Sequence, residues 1–260
     1  MTTTSPRRRP VPRPATLALD IGGTGLKASV LDATGVMLTD RARIKTTYPV
    51  TPDQLVEQLA GLAKPLPSYD RVSAGFPGVV RAGHVITAPH LVTVAGPGTK
   101  TSKKLLAQWA GFDLAGALTT TLGKPVRVLN DADLQGLDVV TGHGLEVVVT
   151  LGTGFGTAVF ANGRLGPHLE LSQHPFRKEE TYDEQLGDTA RKRVGAKRWN
   201  KRLTEAIANL RTLFLFDHLY LGGGNTRHIT IALPHDITVI DPNAGLLGGL
   251  RLWDHDPTAL

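Results

Sequence analysis

The chain has 260 residues, 41% hydrophobic and 20% charged, which is the composition of an ordinary globular protein rather than a fibrous or disordered one. It contains no cysteine, which excludes disulfide bonds and thiolate metal sites, and no apolar run long enough to cross a bilayer. The net charge of +6 is weak evidence for a nucleic-acid partner, because four of those charges are arginines within the first 13 residues.

Residues 1–15 are predicted to form a disordered basic tail, since they are rich in proline, threonine and arginine. A solubilising extension is favoured over a segment that contacts nucleic acid. The tail lacks the apolar stretch of a secretion signal and is too rich in proline for a helix-turn-helix. We therefore expect a cytoplasmic protein with no membrane partner and no specific nucleic-acid partner.

The first glycine-rich turn lies between two predicted strands, Thr16–Ile21 and Leu26–Leu31, and a third strand is predicted to begin at 36–38. Glycine amides in such a turn can approach a phosphate closely. Asp20 is suited to Mg²⁺, which prefers carboxylate oxygens and keeps much of its water. Thr24 and Lys27 would add a hydroxyl and a cation at the phosphates. An ordinary glycine-rich hairpin is the alternative.

The region from 52 to 122 alternates helix and strand signals. Apolar spacing predicts helices over 52–62 and 112–122, and a short strand over 71–74 runs into the turn at 75–80. Residues 92–108 form a polar, glycine-containing insert that is predicted to be a mobile loop. An ordinary surface loop is favoured over a basic lid above an anionic substrate.

A short buried strand over 126–129 leads directly into Asn130 and Asp131 and then into a predicted helix. A carboxylate at a strand end and a helix start is accessible to a substrate. We interpret Asp131 as the general base of a sugar kinase. This interpretation requires the rest of the chain to supply a phosphoryl donor site and a sugar pocket.

A second glycine-rich turn, at 152–157, again separates two predicted strands, 146–151 and 158–160. It contains Thr153, Gly154 and Gly156. Two such hairpins facing each other would clamp a transferring phosphoryl group between backbone N–H groups.

The last third of the chain adds three candidates. The polar stretch 167–174 carries Glu170, which is suited to sugar hydroxyls, although a solvated loop is the simpler interpretation. The predicted helix over 182–213 is basic between 192 and 202, which indicates a solvated face or, less favoured, a polyanion groove. A strand at 218–221 ends in three glycines that would let a base or ribose approach. The small residues of helix 244–250 suit a hinge.

Five segments in one order resemble the actin-like ATPase and sugar kinase superfamily: LDIGGTGLK, LNDADLQGL, LGTGFGTAVF, LGGGN and AGLLGGLRLW. Within it, GFPGVV and the Glu-Leu-Ser-Gln-His cluster resemble the ROK family, and VLNDAD and TGFGTAVF resemble its polyphosphate glucokinase branch. The resemblance implies an α/β, two-lobed actin-like ATPase (ribonuclease H-like) fold with the active site in the interlobe cleft. The implied lobes are 16–128 and 129–260, with the last helix (244–253) packing back at the hinge.

The resemblance also implies phosphoryl transfer from ATP or polyphosphate, with Mg²⁺, to the 6-hydroxyl of a hexose, with glucose as the expected sugar. Asp131 would be the base, Asn130 and Glu170 sugar contacts, and Asp20 the carboxylate linked to Mg²⁺. Lys27 stands beside the phosphate loops. These loops would be formed by Gly22, Gly23, Thr24, Thr153, Gly154 and Gly156, and an adenosine loop by Gly223 and Gly224.

The sugar pocket departs from the family pattern at two places. His90 stands where relatives carry the asparagine of Pro-Asn-Leu. Ser172 and Gln173 stand where relatives carry the Gly-His of Glu-x-Gly-His, and His174 follows one position late. We expect His90, Gln173 and His174 to belong to an altered sugar pocket, with the catalytic aspartate and the phosphate loops retained.

A hexose kinase acting as a homodimer is the leading hypothesis. The altered pocket leaves open a non-catalytic ROK-like regulator that binds a sugar or nucleotide. A structural actin-like protein ranks last, because Asn130 and Asp131 would have no use there. The donor stays undecided between polyphosphate and ATP, and the basic helix slightly favours polyphosphate.

Overall fold

The structure, a computed structural model, describes residues 11–241 and 243–254. Most of the predicted tail, including Arg7, Arg8 and Arg9, lies outside the described residues. The end of the tail is fixed to the body, because Arg13 Nη1 lies 2.9 Å from Asp70 Oδ2 and the Ala15 amide donates to the same oxygen at 2.7 Å. Within the described ranges no helix is both long and apolar enough to span a membrane.

The strands and helices alternate along the chain as in an α/β protein. The strands are β1 (Thr16–Ile21), β2 (Leu26–Leu31), β3 (Ala42–Ile44), β4 (Arg71–Phe76), β5 (Val80–Arg81), β6 (His84–Val85), β7 (Val126–Asn130), β8 (Leu145–Leu151), β9 (Phe155–Ala161), β10 (Arg164–Leu165), β11 (Pro175–Arg177), β12 (Glu180–Thr181), β13 (His218–Gly222) and β14 (Ile237–Val239). The helices are α1 (Pro52–Ala63), α2 (Lys103–Trp109), α3 (Leu114–Leu122), α4 (Asp131–Val139), α5 (Tyr182–Leu186), α6 (Asp188–Phe214) and α7 (Ala244–Arg251).

Two five-stranded sheets share one topology. The first has the order β3-β2-β1-β4-β7 and the second has the order β10-β9-β8-β13-β14. In each, an antiparallel hairpin opens the sheet and two parallel strands follow on the other side. The glycine turns of the two hairpins therefore occupy equivalent places, as the repeated sequence pattern predicted.

Local sequence explains where the helices begin and end. Thr51 and Gln54 form a capping box at the start of α1, with Pro52 at its first position. Asp113 caps α3 through the Gly116 amide, and Gly123 ends α3 in the left-handed conformation at φ 64°. Asn130 caps α4, which fixes the direction in which Asp131 leaves the sheet.

The structure corrects the predicted third strand. Residues 36–38 contribute a single bridge, between Met37 and Leu31, and the strand that pairs with β2 is β3 at 42–44. Two of the three β3 residues are exposed, so the sequence shows no buried alternation there.

One loop prediction and one helix prediction also need correction. The insert at 92–108 is not a loop throughout, because Ser102 caps α2, and Leu105 and Trp109 of that helix are buried. The helix predicted over 182–213 is two helices that meet at Gly187, and α6 itself has a non-helical residue, Gly195, at φ 76°.

Helix α7 connects the two sheets by packing against α4 and β1. Its glycines make this possible, because a Cβ at Gly248 would overlap the carbonyl oxygen of Leu134, and one at Gly249 would meet Ser73 Cβ at 3.1 Å. The predicted lobe boundary at 128/129 falls inside β7, whose residues pair with β4 in the first sheet. The division into lobes 16–128 and 129–260 stays a prediction.

Candidate active site

A cavity of about 340 Å³ opens where the two glycine hairpins, the ends of β4 and β7 and the end of β13 meet. Most of the residues singled out from the sequence line it. They are Asp20, Gly22, Gly23, Thr24, Lys27, His90, Asn130, Asp131, Thr153, Gly154, Gly156, Glu170, Gly223 and Gly224. Asp20 and Gly224, which are more than two hundred positions apart in the sequence, thus line the same cleft.

Asn130 is held in place by protein groups on both sides of its amide. Its Oδ1 accepts from the amides of Ala132 at 2.7 Å and Asp133 at 3.4 Å, and its Nδ2 donates to the carbonyls of Phe76 and Gly78 at 3.4 and 3.1 Å. The side chain is buried, although it borders the cleft. Asn130 therefore fixes the α4 start against the end of β4, and this leaves little of its hydrogen-bonding capacity for a ligand.

Asp131 lies at the first position of α4 with its carboxylate at the cleft. The surrounding protein raises the pKa of Asp131 to about 7, chiefly by desolvation and further by the nearby negative charge of Asp20. The Ala132 amide, which donates to Oδ1 at 2.9 Å, opposes this shift in pKa. A carboxyl that titrates near neutrality in a cleft can accept a proton during a reaction and release it afterwards.

The first glycine hairpin carries the predicted Mg²⁺ residue. Asp20 Oδ2 lies 2.6 Å from Lys27 Nζ, so in this structure the carboxylate is paired with a cation. No group of three or more carboxylate or imidazole side chains suited to a metal occurs among residues 11–241 and 243–254. This donor set suits Mg²⁺ held by one carboxylate together with water and phosphate oxygens, rather than by a protein cage.

Neighbouring side chains fix the shape of this hairpin. The Tyr48 hydroxyl lies 2.7 Å from the Gly23 carbonyl and 2.9 Å from the His90 carbonyl, and Thr46 donates to the Gly22 carbonyl at 2.7 Å. Burial raises the pKa of Tyr48 to about 12, so its hydroxyl stays a donor. The carbonyls of the turn thus face protein donors.

The second hairpin is held by Asp183, a residue that the sequence did not single out. Asp183 Oδ1 accepts from the Phe155 amide at 2.6 Å, and His90 Nε2 lies 3.4 Å from Oδ2. Burial raises the pKa of Asp183, and the charge of His90 opposes that rise. A Cβ at Gly154 would lie 2.7 Å from His90 Nε2, so the loop, the histidine and the aspartate are in contact.

Glu170 brings a carboxylate with one unused oxygen to the cleft. Ser172 Oγ donates to its Oε1, whereas its buried Oε2 has no hydrogen-bond partner within the described part of the chain. His168 Nε2 is 4.0 Å from that oxygen, and the other ring nitrogen of His168 lies 3.1 Å from Asp133 Oδ2. Oε2 is therefore available to accept a hydrogen bond from a hydroxyl.

Gln173 and His174 do not line this cavity. Gln173 donates to Ser172 Oγ at 3.1 Å and to Asp183 Oδ2 at 3.3 Å, and it borders a neighbouring groove instead. His174 is exposed, and its Nδ1 lies 2.9 Å from the Pro175 carbonyl. Of the altered positions, His90 and Ser172 line the cleft, whereas Gln173 and His174 do not.

The glycines after β13 lie against the second hairpin. Gly223 has φ 86°, and a Cβ there would overlap the Leu151 carbonyl, whereas nothing lies within 4 Å of a Cβ at Gly224. Asn225 joins the two loops by donating to the Gly152 carbonyl at 2.9 Å. The space beside Gly224 is open to a ligand.

The basic stretch of α6 lies outside the cavity itself, and only Arg193 borders the neighbouring groove that shares His90 and Asp183 with it. Lys192 pairs with Asp188 at 2.6 Å, Arg193 lies 3.4 Å from Glu180, and Arg202 donates to the Gln185 carbonyl. No basic residue between 192 and 202 lines the cavity. The cavity is lined instead by Arg41 and Arg43 of the β3 region, which the sequence patterns missed because neither lies in a glycine motif.

Comparison with known proteins identifies relatives of the chain. A model of the ROK family matches residues 16–167. Polyphosphate glucokinase of Mycobacterium tuberculosis (strain CDC 1551 / Oshkosh) is 28% identical over 240 residues, which cover 87% of this chain and 85% of the relative.

Solved structures agree with the fold. The inorganic polyphosphate/ATP-glucomannokinase of Arthrobacter sp. strain KM matches with a TM-score of 0.79 and 27% identity, covering 94% of this chain and 100% of that chain. A ROK family glucokinase of Streptomyces griseus, solved with glucose and AMPPNP, matches with a TM-score of 0.69 and 19% identity over 92% of this chain and 98% of its own. The two-lobed actin-like fold predicted from the five segments is confirmed.

Proposed function

The chain belongs to the ROK family, and from that premise we propose that it is a hexose kinase that transfers a phosphoryl group from polyphosphate or ATP to the 6-hydroxyl of a hexose, with Asp131 as general base. The observation that carries the proposal is the position of Asp131. Its carboxyl, with a pKa of about 7, shares one cleft with both glycine hairpins.

The reaction needs positioning and charge neutralisation more than covalent chemistry by the protein. As the sugar oxygen attacks the terminal phosphorus, its proton passes to the Asp131 carboxylate. The bond between that phosphorus and the bridging oxygen breaks, and the donor leaves as ADP or as a polyphosphate shorter by one unit. Backbone N–H groups of the hairpins, at 22–25 and 152–156, would stabilise the charge on the transferring group.

Mg²⁺, when bound, would neutralise charge on the donor phosphates. Asp20 is the side chain that would hold it, directly or through water. Mg²⁺ and Lys27 would compete for the Asp20 carboxylate, and a loosened pair would free Lys27 to approach a phosphate oxygen.

Glucose is the sugar we propose first, because relatives that cover most of this chain are glucokinases. Glu170 Oε2 would accept from a sugar hydroxyl, and His90 would face the sugar from the other lobe. His90 and Asp183 touch across the cleft, so hydroxyl preference need not match that of relatives with asparagine at this position.

A coupled assay with glucose, mannose and N-acetylmannosamine against ATP and polyphosphate tests this function. We expect a hexose 6-phosphate with at least one sugar and donor, and loss of product in Asp131→Asn. Asp138→Asn is the matched control, because Asp138 lies on the same helix and outside the cleft lining. Sugar binding without product for every donor would support the regulatory alternative instead.

A further inference from the structure

Three strands of the first sheet carry a row of charged side chains into the cleft. Asp20 of β1 is the register partner of Lys27 of β2, and Lys27 is the register partner of Arg43 of β3. Directly paired residues of antiparallel strands point to the same face, with Cβ atoms about 4.5–5.5 Å apart. The row therefore runs anion, cation, cation from the centre of the sheet to its edge.

Arg41, the residue before β3, extends this row. It stands two positions before Arg43, and residues two apart along an extended chain share a face. Its Nη2 donates to Asn243 Oδ1 next to the start of α7, and both arginines line the same cavity as the glycine hairpin. We call Lys27, Arg41 and Arg43 the β2–β3 cation row.

The charges of this row are unbalanced. Asp20 is the one carboxylate ion-paired with the row within residues 11–241 and 243–254, and Lys27 already engages it at 2.6 Å. Arg43 is exposed and has no carboxylate partner in those ranges, although it stands opposite Lys27. Like charges directly opposite each other in a sheet are destabilising, so the row is suited to an anionic ligand.

The row also adjoins the phosphate loop. A Cβ at Gly25 would lie 3.5 Å from Arg43 Nε, so the guanidinium lies against the backbone of the turn whose glycines would face the donor. A phosphate chain whose reacting end lies at the glycine turn could continue along Lys27, Arg43 and Arg41. Such a chain keeps its negative charge at every unit, whereas ATP ends in an uncharged nucleoside.

We propose that the β2–β3 cation row is a binding track for the distal phosphates of a polyphosphate donor and sets the preference of the enzyme for long chains. The proposal rests on the proposed kinase function. Polyphosphate would then be recognised at the edge of the first sheet, and not on the basic stretch of α6 that the sequence slightly favoured. Guanidinium groups suit this role because they bind phosphate oxygens in a bidentate manner.

Kinetics of Arg43→Gln with tripolyphosphate, long-chain polyphosphate and ATP test the track. We expect the KM for long-chain polyphosphate to rise about tenfold, the effect of losing one charge-assisted contact of moderate strength. The KM for tripolyphosphate and ATP should rise several-fold less, because fewer of their phosphates reach the row. The double variant Arg41→Gln/Arg43→Gln should abolish the advantage of long chains.

Arg164→Gln is the matched control. Arg164 is an exposed arginine on β10, the edge strand of the second sheet that corresponds to β3, and it lies outside the cleft lining. The Arg164→Gln variant should leave the KM values for tripolyphosphate, long-chain polyphosphate and ATP unchanged. The salt dependence of the long-chain KM gives a second measure, since each lost phosphate contact lowers its slope.

The outcomes separate the track from the kinase function. Equal KM increases for short and long chains, or equal effects of Arg43→Gln and Arg164→Gln, would overturn the track while leaving the kinase intact. A chain that phosphorylates a hexose with ATP but uses polyphosphate of no length as donor would likewise overturn the track and leave the kinase intact. If no hexose were phosphorylated with any donor, the proposed kinase function itself would be contradicted, and the track with it.

Discussion

Asp131 combines a helix N-terminus, which favours a charged carboxylate, with burial and a neighbouring carboxylate, which disfavour it. Burial dominates, so its pKa rises to about 7. A base must be ionised to accept a proton, and kcat/KM should rise about tenfold per pH unit below about pH 7 and level off above it. A pH–rate profile with saturating donor measures this. Asp138→Asn should show the same rise in kcat/KM up to about pH 7. A rise centred near pH 4 in the wild type would contradict the pKa assigned to Asp131.

The same shift in pKa predicts a stability effect. Between its ordinary value of 3.8 and about 7, Asp131 is protonated in the folded state and ionised in the unfolded state. Folding therefore takes up a proton, and this carboxyl lowers the free energy of unfolding as pH rises through that window. Asp131→Asn should raise that free energy by up to about 4 kcal/mol at pH 8 and change it little at pH 4. Urea unfolding at the two pH values measures the difference, and equal effects at both would contradict the linkage.

His168 connects two carboxylates at this site. It lies 3.1 Å from Asp133 Oδ2 and 4.0 Å from Glu170 Oε2, with only 9% of its side chain exposed. Buried Asp133 raises the pKa of His168 despite the opposing effect of burial on the imidazolium. The positive charge of protonated His168 therefore lies close to the Glu170 carboxylate and favours its ionised form.

Replacing His168 with glutamine should raise the hexose KM by about tenfold and leave the donor KM within about twofold. The exposed His143→Gln is the control. Steady-state kinetics with each substrate varied in turn gives the comparison. If the donor KM rose as much as the hexose KM, His168 would not act through Glu170.

At the scale of elements, the packing of α7 on α4 depends more on Gly248 than on Gly245. A Cβ at Gly248 would overlap the Leu134 carbonyl, a backbone atom that cannot move aside, whereas a Cβ at Gly245 would meet only Gln135 Cγ at 3.4 Å. Gly248→Ala should lower the free energy of unfolding by about 2 kcal/mol or more. Gly245→Ala should leave it unchanged or raise it by up to about 1 kcal/mol, since alanine favours helix.

Thermal or urea unfolding of both variants measures this contrast. Equal destabilisation by the two alanines would mean that helix propensity or local flexibility, rather than the close crossing of α4 and α7, controls stability in this region.

The elements that the sequence predicted best are those with a clear local signal. Both strands of the first hairpin and helix α1 were placed almost to the residue, because apolar runs around a glycine turn mark the strands and apolar residues at helical spacing mark the helix. The β3 strand was missed because it is three residues long and mostly exposed. Helix α2 was missed because it follows a Gly- and Pro-rich stretch and buries only Leu105 and Trp109.

At the scale of the whole molecule, the site is an assembly of segments that no local pattern connects. Asp131 and the glycine turns could be predicted, since each carries a motif. Asp183 could not, because it looks like an ordinary acidic residue in the first turn of α5. Its contact with His90 arises only when the two halves of the chain meet. Arg43 gains its position from the register of β2 with β3, which the misplaced third strand concealed.

Single-turnover phosphoryl transfer measured beside hexose affinity, in the wild-type chain and in Asp131→Asn, tests the central claim most directly. If Asp131 is the general base, the variant binds the hexose with a Kd within about twofold of the wild type by calorimetry, while transfer slows by at least about 10²-fold. Transfer in the variant at a rate within about threefold of the wild type would show that another group accepts the proton.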